Sequence, residues 1–363
     1  MTVRIELGKR MERKSWMHWL NSSSDNRKSK TWGERRVIIQ NQKWVALCAF
    51  LLTVCGARGE AQEPKKIPRV GVLVTGSGSY VGRDAFPQTL RELGYIEGHN
   101  IVIEYRSAEG KNARQPELAR ELVNMNVDVL VSGGGNDVTR ALMQATKTIP
   151  IVMTAGSDAV ARGLISSLAR PGGNVTGLTS LWDDLTGKRL ELLKDTIPKL
   201  SRVAVLWHSS GGRKTQWKAS QAAAQQLNLQ LHSMEIRTAE DLETAFREAV
   251  KARSGAVAVT QSSEVGANHE KVIDLALKHR LPAIYAIPEY AEAGGLIAYG
   301  GNRRDLARRA AIYVDKILKG AKPAELPVEQ PAKFELVVNL KTAKQIGLPI
   351  PPGVLARADR VMK

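Results

Sequence analysis

The sequence predicts an α/β protein of two doubly wound parallel-sheet lobes that are joined by a hinge. From Arg69 onward, short runs of Val, Ile and Leu alternate with helical segments, a pattern typical of parallel sheets covered by helices. The alternation forms two series, which are separated by the Gly-rich stretch 170–180. A further strand, 334–339, follows a long helix and a Pro-spaced stretch near the end of the chain. This late return to a lobe indicates a hinge.

The first series, in residues 66–180, predicts the first lobe, together with part of 293–330. Its strands are short apolar runs, and its helices carry apolar residues at three- and four-residue spacing, as Leu118 and Leu122 do. The predicted strands are 69–74, 101–105, 127–131 and 149–153, and the predicted helices are 86–93, 115–125 and 137–145.

The second series, in residues 181–292, predicts the second lobe, together with part of 331–363. It begins with a helix over 185–196, and its predicted strands are 202–207, 229–236, 255–259 and 282–286. A short strand at 294–300 then leads to Asn302, which can cap a long helix that ends before Gly320. The apolar stripe of this helix consists of Leu306, Ala310, Tyr313, Val314, Ile317 and Leu318.

The N-terminal extension, residues 1–61, differs in composition from the rest of the chain. It holds both cysteines, Cys48 and Cys55, and 12 Lys and Arg against 5 Asp and Glu. The apolar run 44–55 follows basic residues and precedes small ones, which is typical of a cleaved secretory signal. The run is shorter than the ~20 residues that span a bilayer as a helix. We therefore predict a periplasmic protein, with a lipid anchor at Cys55 as the less favoured alternative.

Charge and motifs exclude several other classes. The net charge of +17 suggests nucleic-acid binding, but residues 62–363 hold 41 Lys and Arg against 31 Asp and Glu, and the two signs alternate along amphipathic segments. The glycines of TGSGSYVG (75–82) miss the dinucleotide-binding spacing by one, and no P-loop lysine follows GGGN (133–136). The six histidines show no metal-binding spacing. We expect no nucleic acid, cofactor or metal.

The candidate ligand site is the set of turns that follow the predicted strands, because ligands of open α/β sheets bind beyond the carboxyl ends of the strands. These turns are rich in Gly, Ser, Thr and Asn, which favours hydrogen bonding to a ligand over nucleophilic catalysis. Asp158 suits the ammonium group of a zwitterion, or it caps a helix that starts near Ala159. The predicted ligand-binding residues are Ser77, Gly78, Ser79, Gly134, Asn136, Ser157, Asp158, Ser209, Gln261 and Glu289.

Five blocks of sequence resemble the ABC transporter substrate-binding family that includes tryptophan- and tyrosine-type binding proteins. The resemblance covers about residues 66–360, and its blocks are 94–110, 150–179, 188–195, 282–300 and 317–352. It implies a periplasmic-binding-protein type I fold, a hinge-closing cleft, no catalysis, a small-molecule ligand and a membrane permease as partner. We expect a monomer. The chain has Asp158-Ala159 where members of the family have an Asp-Pro pair, a departure that bears on the ligand more than on the fold.

Two other classes stay open from the sequence. The ligand-sensing domain of a transcription regulator shares this fold, but it needs a helix-turn-helix where residues 1–60 carry an apolar, export-like run. An α/β enzyme such as a racemase or epimerase needs paired acid and base residues that face one pocket.

Overall fold

The computed structural model describes residues 66–76, 84–208, 214–331 and 333–363. The signal-like segment and four of the predicted site residues lie outside the described residues; these four are Ser77, Gly78, Ser79 and Ser209. Two sheets of mostly parallel strands, each covered by helices, form two lobes, so the predicted fold class is confirmed.

The sheet of lobe 1 has five parallel strands in the order β2-β1-β3-β4-β5. Strand β1 lies between β2 and β3, so the chain reverses its direction of winding there, and such a switch point opens a crevice at the carboxyl ends of the strands. The strands are β1 Arg69–Val74, β2 Val102–Ser107, β3 Val129–Ser132, β4 Ile151–Ser157 and β5 Val175–Ser180, and the first three helices are α1 Ala85–Glu92, α2 Gln115–Asn124 and α3 Asn136–Ala145.

Strand β5 differs from the prediction, which made 170–180 an irregular crossing. Gly177 has a φ of 117°, and a Cβ atom at that position would lie 2.3 Å from the Met153 carbonyl oxygen. Glycine therefore permits β5 to approach β4, although glycine within a short run is ordinarily a signal against a strand. The prediction of a helix that starts near Ala159 is also wrong, because residues 159–163 form turns.

The sheet of lobe 2 has seven strands in the order β12-β11-β10-β9-β8-β6-β7. Strand β11 runs antiparallel to β10, and the other pairs are parallel. The strands are β6 Arg202–His208, β7 Gln230–Ile236, β8 Ala256–Val259, β9 Ala283–Tyr285, β10 Ile297–Gly301, β11 Phe334–Asn339 and β12 Arg360–Met362. The remaining helices are α4 Thr186–Thr196, α5 Lys214–Gln226, α6 Asp241–Lys251, α7 Ser263–Ala267, α8 His269–Lys278, α9 Glu289–Glu292, α10 Arg303–Leu318, α11 Leu340–Ile346 and α12 Pro352–Arg357.

Helix α10 belongs to lobe 1, although it follows a strand of lobe 2. It packs against α1, β3, β4 and β5. Its Asn302 cap is confirmed, since the Asn302 side chain accepts a hydrogen bond from the Asp305 amide at 3.1 Å. Tyr95, which follows α1, donates a hydrogen bond to Asp315 of α10 at 3.0 Å. Burial, with Asp315 beside it, raises the pKa of Tyr95 to about 12.

Three segments connect the lobes and form the hinge: residues 181–185 after β5, Asn302 after β10, and the stretch that leads into β11. The last of these runs beside β5 before it crosses, because Glu329 exchanges backbone hydrogen bonds of 2.9 Å with Gly177 and Thr179. Among the described residues, no helix has the length and apolar character that a membrane span requires.

Candidate functional site

A cavity of about 500 Å³ lies between the lobes, at the carboxyl ends of the strands of both sheets. This volume falls within the ~300–1,000 Å³ range of small-molecule sites. Lobe 1 contributes the turn after β1, the start of α3 and the end of β4, and lobe 2 contributes the turn after β8 together with α7, α8 and α9. The switch point between β1 and β3 therefore opens onto this cavity.

The lobe 1 wall is fixed by Asn136, the first residue of α3. Its amide nitrogen donates to the Ser157 carbonyl oxygen at 2.7 Å, and its amide oxygen accepts from the Ser157 backbone N–H at 3.0 Å. Gly134 brings backbone to the cavity surface, because a Cβ atom there would lie 2.4 Å from Val138 and 2.7 Å from Thr75. The turns after β3 and β4 are thus held together by one side chain.

The lobe 2 wall uses a second amide side chain in the same way. Gln216, near the start of α5, donates to the Gln261 carbonyl oxygen and accepts from the Gln261 backbone N–H, both at 3.1 Å. The Ser262 hydroxyl accepts from the Val265 backbone N–H at 3.0 Å and caps α7. Gln261 and Ser262, which form the turn after β8, are both buried. The polar groups of the two walls are therefore held rigidly before any ligand arrives.

Aromatic rings from the hinge and from lobe 2 complete the lining. Trp182, in the first hinge segment, is buried and lines the cavity. His269 and Tyr290 also line it, and their rings stack with centroids 4.7 Å apart and planes 11° apart. The His269 Nδ1 atom lies 3.0 Å from the Gly266 carbonyl oxygen, which fixes the ring. The cavity thus offers ring surface as well as hydrogen-bonding groups.

A buried arginine holds the hinge beneath Trp182. Arg189 of α4 is 3% exposed, and both terminal nitrogens of its guanidinium lie 3.1 Å from the Trp182 carbonyl oxygen. Its Nε donates to the Tyr299 carbonyl oxygen of β10 at 3.0 Å. Burial lowers the pKa of Arg189 to about 10, against the opposite effect of Asp183, so the guanidinium stays charged at neutral pH.

The charge of the cavity is positive. Among the described residues that line it, four are cationic and two are anionic. The cations are Arg140, Arg162, Lys271 and Arg303, and the anions are Asp137 and Glu270. This balance favours a ligand that carries a negatively charged group.

The lobes touch across the cleft. Ser263 of α7 donates a hydrogen bond to the Gly134 carbonyl oxygen at 3.2 Å. Arg162 of lobe 1 forms an ion pair with Asp183 of the hinge at 3.5 Å and lies 3.4 Å from the hydroxyl of Thr215, in α5. These contacts describe a closed cleft.

Four predicted site residues meet at this cavity: Gly134, Asn136, Ser157 and Gln261 all line it. Asp158 does not, since its side chain is exposed on the turn after β4, where its backbone has a φ of 47°. Glu289 lies outside the lining and is 3% exposed. Its Oε1 atom accepts from the backbone N–H groups of Arg303 and Arg304 at 2.9 and 3.2 Å, at the start of α10.

The predicted set of site residues lacks several lining residues, some in strand-end turns and others beyond them. Arg140 is one helical turn beyond Asn136, and Gln216 lies near the start of α5, so a search extended into the first two turns of each helix would have found them. Tyr290 directly follows the predicted Glu289. No feature of the sequence marked Trp182 or Arg162 as a lining residue. The described residues contain no cluster of three or more side chains that could hold a metal ion.

Comparison with known proteins gives concordant matches. The family model described as ABC transporter substrate binding protein matches residues 69–362. A tyrosine-binding protein from Clostridioides difficile (strain R20291) is 26% identical over 289 residues, which are 79% of this chain and 83% of that protein.

Two solved structures differ in how well they superpose. An ABC domain from Streptococcus pneumonia in complex with L-Trp is 25% identical with a TM-score of 0.73, over 81% of this chain and 99% of that one. The ligand-free, open structure of a substrate-binding protein with adhesive properties from Clostridium difficile is also 25% identical, but its TM-score is 0.59, over 82% of this chain and 100% of that one. At equal identity, the lobes described here match the ligand-bound arrangement better, in agreement with the contacts across the cleft.

Proposed function

Because the chain belongs to the ABC transporter substrate-binding protein family and is the solute-binding component of such a transporter, we propose that its ligand is an aromatic amino acid or a related compound. Proteins of this family act outside the cytoplasm with a small-molecule ligand and a membrane transporter as partner, and they are not in general enzymes. The observation that carries the proposal is the cavity between the lobes, which combines ring surface with an excess of cationic side chains. The tyrosine-binding relative and the structure with L-Trp support the same ligand class.

The lining residues of the cavity suit different parts of such a ligand. Trp182 and His269 offer ring surface to an aromatic side chain, since offset or edge contacts between rings are favourable. The cationic side chains suit a carboxylate. Gly134, Asn136, Ser157 and Gln261 hold backbone and amide groups in fixed positions around the ligand. Asp158, which the sequence analysis predicted as the partner of an ammonium group, is not part of this proposal because it is exposed and lies outside the lining.

A thermal-shift screen followed by calorimetric titration tests the ligand class. We expect L-tryptophan or L-tyrosine to raise the Tm, because a ligand at about 100 times its Kd adds about 2.7 kcal/mol to the free energy of unfolding. L-alanine, which has the same charged groups without the ring, is the control and should give a much smaller shift. A shift with L-alanine equal to that with L-tryptophan, or no shift with any aromatic amino acid, would reject the proposal.

Export and oligomeric state are part of the same proposal. We propose that the signal-like segment 44–55 is cleaved, that the mature protein begins near Glu60 or Gln62, and that it is a periplasmic monomer without catalytic activity. N-terminal sequencing of protein from the native host, together with light scattering, tests this. An intact Met1 form in the cytoplasm would contradict export, and a lipid-modified Cys55 would contradict only the unanchored form.

A further inference from the structure

The Tyr290 hydroxyl is a buried hydrogen-bond donor, on a residue that lines the cavity, for which the described part of the chain supplies no acceptor. Tyr290 of α9 is 1% exposed and lines the cavity, and its Oη atom has no acceptor for its proton within the described part of the chain. Two further buried atoms, Ser254 Oγ and Glu289 Oε2, also lack a hydrogen-bond partner there, but their residues lie outside the cavity lining. A buried donor without an acceptor costs free energy, and a ligand in the adjoining cavity is the group that could supply the acceptor.

The surroundings of Tyr290 fix the position of this hydroxyl. One face of the ring is covered by His269, and the Tyr285 ring packs edge-on with centroids 6.2 Å apart and planes at 84°. The Tyr290 carbonyl oxygen accepts a hydrogen bond from the Gly295 backbone N–H at 2.9 Å. A Cβ atom at Gly295 would lie 2.7 Å from both that oxygen and the Tyr285 ring, so the packing is tight. This packing fixes the ring and therefore the position of the Oη atom.

Open space and a second hydrogen-bond donor lie beside the Tyr290 hydroxyl. Gly266 lines the cavity, and a Cβ atom there would lie 3.7 Å from Tyr290 Oη and 3.0 Å from the Gln261 amide nitrogen. The glycine therefore keeps open the space next to two hydrogen-bond donors. Burial raises the pKa of Tyr290, and both the charge of Arg303, a further cation of the lining, and hydrogen bonding from the Gln261 amide oppose that increase. A group that accepts hydrogen bonds and carries negative charge suits this position best.

We propose that Tyr290 Oη donates a hydrogen bond to a carboxylate oxygen of the ligand, and that this contact makes the site selective for ligands that carry a carboxylate. The proposal rests on the proposed function in that the ligand is taken to occupy this cavity. The protein holds the donor in place without an acceptor, so the ligand supplies the missing one.

The test compares wild type and Tyr290→Phe with two probes, L-tryptophan and tryptamine, which differ in the carboxylate. Calorimetric titration measures L-tryptophan, and competition against it measures tryptamine. We expect Tyr290→Phe to weaken L-tryptophan binding roughly tenfold to a hundredfold, as for a hydrogen bond to a charged group, and to leave tryptamine binding nearly unchanged. The preference for L-tryptophan over tryptamine should decrease by the same factor.

Two further measurements separate this role from a structural one. The Tm of ligand-free Tyr290→Phe should equal or exceed that of the wild type, because the ring packing remains and the donor without an acceptor is removed. Tyr285→Phe, in a buried tyrosine outside the cavity lining, is the matched control and should leave the affinity for L-tryptophan unchanged.

The outcomes distinguish this proposal from the proposed function. Wild type that binds L-tryptophan, with a Tyr290→Phe variant that binds it equally well or that loses affinity equally for both probes, would overturn the role of the hydroxyl alone. Wild type that binds neither L-tryptophan nor L-tyrosine would reject the proposed function, and this role with it.

Discussion

Ser263 of lobe 2 donates a hydrogen bond to the Gly134 carbonyl oxygen of lobe 1, at 3.2 Å across the cleft. Both residues line the cavity, so the contact closes directly over the space where a ligand would lie. Because a hinge-type protein separates its lobes on opening, this hydrogen bond exists only in the closed form. It therefore adds to the stability of the closed form with a ligand bound.

Ser263→Ala should weaken ligand binding without affecting the fold. A neutral hydrogen bond contributes about 0.5–1.5 kcal/mol, so we expect the Kd for L-tryptophan to rise about twofold to twelvefold. The Tm without ligand should stay nearly constant. Ser167→Ala, which removes an exposed hydrogen bond to Arg170 within lobe 1, is the matched control. Equal affinities of the two variants would mean that the contact between Ser263 and Gly134 does not stabilise the closed form.

Gly177→Ala should destabilise lobe 1. The position has a φ of 117°, and the added Cβ atom would meet the Met153 carbonyl oxygen at 2.3 Å, so the approach of β5 to β4 must be lost or distorted. We expect a loss of about 2 kcal/mol or more in the free energy of unfolding. Gly173→Ala is the control in the same segment, since no atom lies within 4 Å of its Cβ position. Urea unfolding of both variants measures the difference, and similar midpoints would contradict this account of β5.

Glu289 should make stability depend on pH in a definite direction. Burial raises the pKa of its carboxyl above the ordinary value of 4.5, against the opposing effect of Arg303. The folded state then holds the proton more tightly than the unfolded state. The contribution of Glu289 to stability is therefore greatest below its unfolded pKa and decreases as the pH rises through the folded one.

Glu289→Gln removes this titration and provides the measurement. The free energy of unfolding of the wild type minus that of Glu289→Gln should be largest near pH ~4 and should decrease towards pH ~7. Glu325→Gln, at an exposed glutamate, is the control variant. A difference that increased with pH over this range would reverse the sign and show that the ionised form is favoured at the start of α10.

Asp158→Asn tests the predicted ammonium partner. The side chain is exposed and outside the cavity lining, and asparagine tolerates the positive φ at this position, so we expect less than about a twofold change in the affinity for L-tryptophan and little change in Tm. A tenfold loss of affinity, measured by calorimetric titration, would instead support a direct contact with the ammonium group.

The strands were predictable wherever a continuous apolar run is buried between helices. Strand β1 begins and ends at the predicted residues, and so does β11, because Val and Leu side chains fill their cores. Strand β5 was not predictable, because what permits it is the close approach of Gly177 to the Met153 backbone in a neighbouring strand. Local sequence carries no information about such an approach.

The site was predictable to the extent that it consists of strand-end turns. Gly134, Asn136 and Gln261 lie in such turns, and the geometry of parallel sheets brings the turns together. Trp182 and Arg162 were not predictable, because Trp182 follows β5, a strand that was not predicted, and Arg162 lies in turns where a helix was expected. Tyr290 was predictable in part. It directly follows the predicted residue Glu289, but the lack of an acceptor for its hydroxyl depends on tertiary packing.

Helix α10 has a consequence for how the protein is made. Lobe 1 begins at Arg69, yet the helix that covers β3, β4 and β5 lies at Arg303–Leu318, so this lobe cannot complete its core until most of the chain has left the ribosome. The hydrogen bond between Tyr95 and Asp315, 220 residues apart, can form only at that stage. Contacts of such long sequence separation slow folding. Lobe 1 therefore stays incomplete through most of its synthesis, and a chain in that state is open to export as an unfolded polypeptide.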